Sequence, residues 1–420
     1  MSEGGMTALT DADVVRIRRR SHVAIISGQA LAGVGMGATF SAGALLATQL
    51  SGSPAWSGTS VTLSTLGAAA AAIPLARLAQ ASGRSPALAT GSAFAALGAI
   101  VGIVATAAGL FPLFLVAMGL LGVGTAVNLQ SRFAATDLSE PARSGRDLSV
   151  VVWSTTLGAV LGPNLIGPGD VLGRSIGLPP LTGVFIFALA AQLVAVTVYL
   201  VVLRPDPLLT ALRLGVERGT TEVEARAEDR GGVITAILTL ALSHATMASV
   251  MAMTPVHLVD HGATLQIVGL TISLHVAGMY ALSPVWGVLS DRFGRSPVIV
   301  VGQGMLLAAL LMTSFGAEHS GWVVAGLIFL GLGWSAATVA ASGLLTDSAD
   351  PMRRTVVQGR ADLSMSLAGG IGAASAGVVL AAIGYSGLSL VAIVLVAVVV
   401  GALVIRRARR PRIRVESGQV

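Results

Sequence analysis

The chain has 420 residues, of which 54% are hydrophobic and 11% charged, and its net charge is +6; its mean hydropathy is +0.82. A soluble chain of this length cannot hide that much apolar surface, so lipid is the expected solvent. There is no cysteine, which excludes disulfides and thiolate metal sites, and all 26 basic residues are arginines scattered through short loops, which argues against nucleic-acid binding.

The N-terminal segment, 1–21, is too polar and acidic for a signal peptide. A bilayer span needs about 20 apolar residues. Twelve stretches qualify, at 22–47, 55–75, 87–109, 112–134, 148–168, 180–203, 232–257, 265–287, 297–315, 321–345, 363–383 and 386–405. The segment 204–231 mixes arginines and acids and reads as a central cytoplasmic loop. The expected layout is therefore an all-α membrane protein, with a six-helix bundle over 22–203, a second over 232–405 and a cytoplasmic tail over 406–420.

Arginine placement orients the chain. Arg16 to Arg20, Arg77 and Arg84, Arg292 and Arg295, and Arg353 to Arg360 fall on the same side, as does the cluster at 406–414; Arg174 falls on the other. The positive-inside rule makes that side cytoplasmic, so both termini are expected in the cytoplasm and the protein in a bacterial inner membrane.

The tetrapeptide GRSP occurs at 83–86 and at 294–297, an offset of 211 residues. GVGT at 122–125 is answered by GLGW at 331–334, Asp137 by Asp347, and GRDLS at 145–149 by GRADLS at 359–364. Duplicated apolar segments point to a two-fold transporter. The second loop, GVLSDRFGRSP at 287–297, resembles the G-x-L-x-D-R-x-G-R signature of the major facilitator superfamily through Gly287, Leu289, Asp291, Arg292, Gly294 and Arg295. The first copy keeps Gly83 and Arg84 but has Gln80 for the aspartate and Ala76 for the first glycine, so the first-half lock is expected to be the weaker one. Arg84 is expected to pair with Asp137, and Arg295 with Asp347, closing a cytoplasmic gate. The resemblance implies a monomer of two pseudo-symmetric six-helix bundles with no cofactor, working between the bilayer's two faces.

In the fifth span, GAVLGPNLIGP resembles the antiporter motif of drug/proton exchangers through Gly158, Gly162, Pro163 and Gly167. Met118 stands where an arginine of the helix-four motif is expected, and no carboxylate lies in the middle of a span, leaving histidines as the ionisable groups at depth. Residues 244–279 hold four of the six histidines and four of the twelve methionines. His244, Met247 and Met251 share a face of the seventh span, and His275 and Met279 share a face of the eighth. Thioether and imidazole form a soft donor set that suits Cu(I). Antiparallel neighbours would let the pairs meet across their interface. The M-x-x-x-M and H-x-x-x-M pairs resemble the CcoA-type copper-importing branch of the superfamily, which implies a copper path through Met247, Met251, His275 and Met279. The same branch includes transporters of organic molecules such as riboflavin. His257, Asp260 and His261, at the outer end of the seventh span, offer a cation entry site or a solvated loop. Two functions stay open: copper import, and proton-coupled export of small organic molecules with His244 or His275 carrying the proton. No nucleophile–base pair or phosphate loop suggests an enzyme.

Overall fold

The structure, a computed structural model, describes residues 10–53, 56, 58–217 and 228–409. Residues 1–9, 218–227 and 410–420, which belong to the N-terminal segment, the central loop and the tail, lie outside them. The first half contains α1 (Asp11–Ser51), α2 (Thr59–Ser82), α3 (Arg84–Ala107), α4 (Phe111–Ala134), α5 (Ser144–Asn164), α6 (Ile166–Ser175), α7 (Val184–Thr197) and α8 (Pro207–Glu217). The second contains α9 (Arg230–Asp260), α10 (Leu265–Tyr280), α11 (Ser283–Phe293), α12 (Arg295–Phe315), α13 (Ser320–Ser348) and α14 (Arg354–Arg409).

Local chemistry explains where the helices begin and turn. Thr10 and Asp13 exchange side-chain-to-amide bonds and start α1 in a capping box. Gly83 (φ 96°) and Gly294 (φ 91°) are each a one-residue turn, between α2 and α3 and between α11 and α12. A positive φ is cheap only for glycine, which is why both copies of GRSP begin with it. A 24-residue helix such as α2, α3 or α4 is about 36 Å long, enough for a hydrocarbon layer of about 30 Å.

Nine stretches among the described residues are long and apolar enough to span a membrane. One of these, α14, is broken at Gly384 (φ 71°, ψ 178°) and crosses twice. With α1 and α5, the chain forms the two pseudo-symmetric six-helix bundles of a twelve-span membrane protein.

Several edges differ from the sequence reading. α1 starts at Asp11, so Arg16 to Arg20 ride on helix rather than precede it. The fifth span ends at Asn164, and the rest of its expected length forms the separate short helix α6. The segment read as central loop opens with a further helix, α8, because Asp206 accepts from the Leu208 and Leu209 amides and nucleates it. The eighth span is two helices, α10 and α11, reaching Phe293.

The two bundles meet where α5 packs on α10 and α11, and where α2 packs on the first half of α14. Hydrogen bonds between bundles cluster at the end that carries Arg84 and Arg295, here called the arginine-rich end.

Candidate functional site

At the arginine-rich end each GRSP arginine holds a knot of bonds. Arg84 Nε and Nη2 donate to the two oxygens of Asp137 at 2.8 and 3.1 Å, and Nη2 also reaches Gln358 of the other bundle at 2.9 Å. Arg84 and Asp137 are both 2% exposed. Burial raises the Asp137 carboxyl above its ordinary value, against the pull of Arg84.

Arg295 donates to Asp347 (2.9 Å), to Asp291 (2.7 Å) and, across the interface, to Ser144 (2.6 Å). Asp291 accepts from the Gly145 and Arg146 amides at 2.9 and 2.8 Å, so it caps the positive end of α5 from the opposite bundle. Gln80 stands in the corresponding place of the first copy and donates to the Met352 carbonyl at 2.6 Å, a neutral bond. Arg292 is exposed and lies over the Phe293 ring, outside this knot. Gly287 is where α11 crosses α5; a methyl group there would overlap Ser149. In the first copy the glycine is on the facing helix, where Gly359 takes up Ala76.

Deeper between the bundles lies a pair that the sequence reading missed. Arg132 of α4 donates to Asp362 of α14 at 2.7 Å and lies 3.7 Å from the Met365 sulfur. Arg132 is 3% and Asp362 0% exposed. The expectation that only histidines are ionisable at depth is therefore corrected. A signal was present in the duplicated GRDLS and GRADLS. The extra Ala361 turns the helix by about 100° before the aspartate. Asp147, in the shorter copy, faces Ser139 within its own bundle (2.5 Å), whereas Asp362 faces the other bundle.

Two turns beyond Asp362, Gly369 makes room for the His244 ring of α9. His244 Nδ1 accepts from Trp334 Nε1 at 3.0 Å, so the ring proton sits on Nε2. Tyr280 meets Trp334 edge-on, with centroids 5.8 Å apart. One turn further, Ser283 donates to the Ser149 carbonyl of the opposite bundle at 3.1 Å. His244, Trp334 and Tyr280 thus form a continuous run of rings beside the bundle interface, Trp334 buried and the other two part-buried.

The spacing suggests that the methionine–histidine pairs meet across α9 and α10, but these two helices share little packing. α10 packs chiefly on α13 and scarcely on α9, and α13 also packs against α9. Gly278 and Gly331 allow α10 and α13 to approach backbone to backbone. There His275 Nδ1 lies 2.8 Å from the Leu327 carbonyl. A carbonyl can only accept, so Nδ1 carries the proton and Nε2 keeps its lone pair. That Nε2 is buried and has no hydrogen-bond partner. Met247 and Met279 are buried and Met251 is half-buried, all against the core of the second bundle.

At the outer end of α9, His257 is a buried tie rather than a solvated residue. Its Nε2 lies 2.9 Å from the Ala317 carbonyl and its ring stacks on Tyr385 at 4.1 Å. His261 and Asp260 are exposed. In α5, Gly158 meets Gly33 of α1 backbone to backbone, which is a packing role. Gly162 is buried, Gly167 falls on α6 in open space, and the side chain of Pro163 lies outside the described residues.

Two six-helix bundles, bonded to each other at one end and burying polar side chains between them, have the architecture of a membrane transporter. The family profile described as "Major Facilitator Superfamily" matches residues 25–225 and 235–419. The chain is 36% identical over 380 residues, 89% of its length and 88% of the other's, to a Bacillus subtilis (strain 168) protein described as the uncharacterized MFS-type transporter YdeG. It is 30% identical over 368 residues, 85% of its length and 87% of the other's, to the riboflavin transporter RfnT of Brucella anthropi. Its fold is similar to that of the proton:xylose symporter XylE, with a TM-score of 0.74 and 15% identity over 94% of this chain and 96% of that one. The chain belongs to the major facilitator superfamily, whose members are transporters.

Proposed function

We propose that the protein is a secondary transporter that moves a flat small organic molecule by rocking its bundles about the central site. The observation that carries this reading is the run of contacting rings, His244, Trp334 and Tyr280, beside the bundle interface. The part-buried His244 and Tyr280 rings, backed by the buried Trp334 and beside a buried, partly unsatisfied polar pair, offer stacking together with hydrogen bonding, which suits a heteroaromatic cargo. The riboflavin-transporting relative supports the same cargo class. In this reading the protein sits in a bacterial inner membrane, the arginine-rich end and both termini are cytoplasmic, and one chain suffices for transport. The layout has bundles over 22–203 and 232–405, joined by 204–231. The Arg84 and Arg295 knots hold the cytoplasmic side shut, so the state described here opens outward.

Riboflavin uptake into proteoliposomes tests the reading. Uptake above that of empty vesicles, lost in Trp334→Ala and retained in Met251→Ala, supports it. Saturable uptake that is indifferent to Trp334 places the cargo elsewhere and overturns the proposed surface.

Copper import is a second reading, favoured by the free lone pair of His275 Nε2 with Met279 one turn further along α10. It predicts 64Cu uptake that falls in His275→Ala and Met251→Ala; equal uptake in all three proteins removes it.

A further inference from the structure

We propose that Arg132 and Asp362 form a proton-operated latch between the bundles: a proton taken up by Asp362 releases Arg132 and lets the arginine-rich end open. This is the one ion pair between described residues that joins the two bundles. Every other such pair, including Arg84 with Asp137 and Arg295 with Asp347, closes within a single bundle. The other hydrogen bonds across the seam each have at least one neutral partner.

The pair is also under-bonded. Arg84 grips Asp137 through two bonds, whereas Arg132 holds Asp362 through one. Arg132 Nε and Asp362 Oδ2 are both buried without a partner. Such a pair is stable only while its members touch, because parting would leave two bare charges in a low-dielectric seam. A proton from the outward-open side removes half of that problem. It adds to a carboxylate oxygen of Asp362, and the ion pair with Arg132 is lost; no other bond changes. Once the arginine-rich end has parted, the proton leaves to water on that side. The empty bundles then close again around the restored pair, so one proton moves inward per cycle.

The groups that surround the carboxylate are few. Arg84, with Asp137, reaches Gln358 one turn before it. Arg354 lies two turns before it on α14, and His244 of α9 sits against Gly369 two turns after. Tyr280 of α10 lies beyond Trp334, Asp347 of α13 is bound to Arg295, and α2 presents Ala72 and Ala76. His244 is the rival titrating group, so it needs its own control.

The absence of cysteine allows clean labelling. Ala81→Cys and Met352→Cys, both exposed and on opposite sides of the seam, would carry spin labels in lipid nanodiscs. Pulsed electron resonance then reads the distance with no cargo added, so the result is independent of the proposed cargo. From about pH 8 to about pH 5 the ratio of far to near populations should rise by up to about tenfold per pH unit, the limit for one linked proton. Asp362→Asn should be open-shifted and flat across that range, while His244→Gln keeps the response. Asp362→Glu, which retains a carboxylate, should also respond; it serves if the asparagine variant does not fold. A wild type insensitive to pH overturns the latch. So does an Asp362→Asn variant that responds like wild type, or a response abolished by His244→Gln.

Discussion

The two halves of this protein carry the same tetrapeptide at the same turn, yet they hold the seam differently. At its GRSP turn the first half concentrates charge in one buried, doubly bonded pair, Arg84 with Asp137, and touches the other bundle through Gln358 and the neutral Gln80. The second half spreads one arginine over Asp291, the 45%-exposed Asp347 and Ser144 of the other bundle, and Asp291 caps α5 across the gap. One copy secures its own bundle; the other secures the closure. A duplicated motif therefore fixes the turn and the arginine, while single-residue departures decide what the arginine does.

Four single substitutions and one double replacement break or sharpen that contrast. Asp137→Ala leaves Arg84 buried without its carboxylate and should cost about 3–5 kcal/mol of stability, read as a lowered melting temperature in detergent. Replacing both partners with leucine should cost much less, because the buried pair as a whole adds little. Asp291→Ala removes the acceptor of two α5 amides and one arm of Arg295. It should cost about 1.5–3 kcal/mol, and much of that should appear as a larger open fraction in distance measurements rather than as unfolding. Asp347→Ala, at a half-exposed site, should cost about 1 kcal/mol or less; a loss as large as that of Asp137→Ala would erase the proposed difference between the halves. Gln80→Asp places a carboxylate near the start of α14 and should favour the closed state by about 0.3–1 kcal/mol, seen as slower dissociation of a cross-seam contact.

Much of this arrangement was legible in the chain. The GRSP repeat marks both turns, and the offset of 211 residues pairs each arginine with its aspartate. The Arg84–Asp137 and Arg295–Asp347 distances follow from that pairing. Two features were not readable, each for a physical reason. Asp362 was left outside the eleventh span because hydropathy locates where a span is apolar, not where a helix begins. The roughly 100° that Ala361 adds to the helix decides which way that carboxylate faces. The second is α13, which is buried on nearly every side and has no polar stripe to reveal its neighbours. Sequence adjacency suggested that α9 and α10 meet, whereas α13 takes most of the packing of α10, and the methionine and histidine pairs follow their helices.

The most direct test of the account asks whether the seam at the arginine-rich end parts as a unit. Arg146→Cys and Arg292→Cys, both exposed and on opposite sides of it, would report the distance between α5 and α11 in a lipid bilayer. The account predicts two populations, a near one matching the closed seam and a far one that grows in Asp291→Ala. A single near distance, unchanged in that variant and across acid and neutral pH, would contradict it.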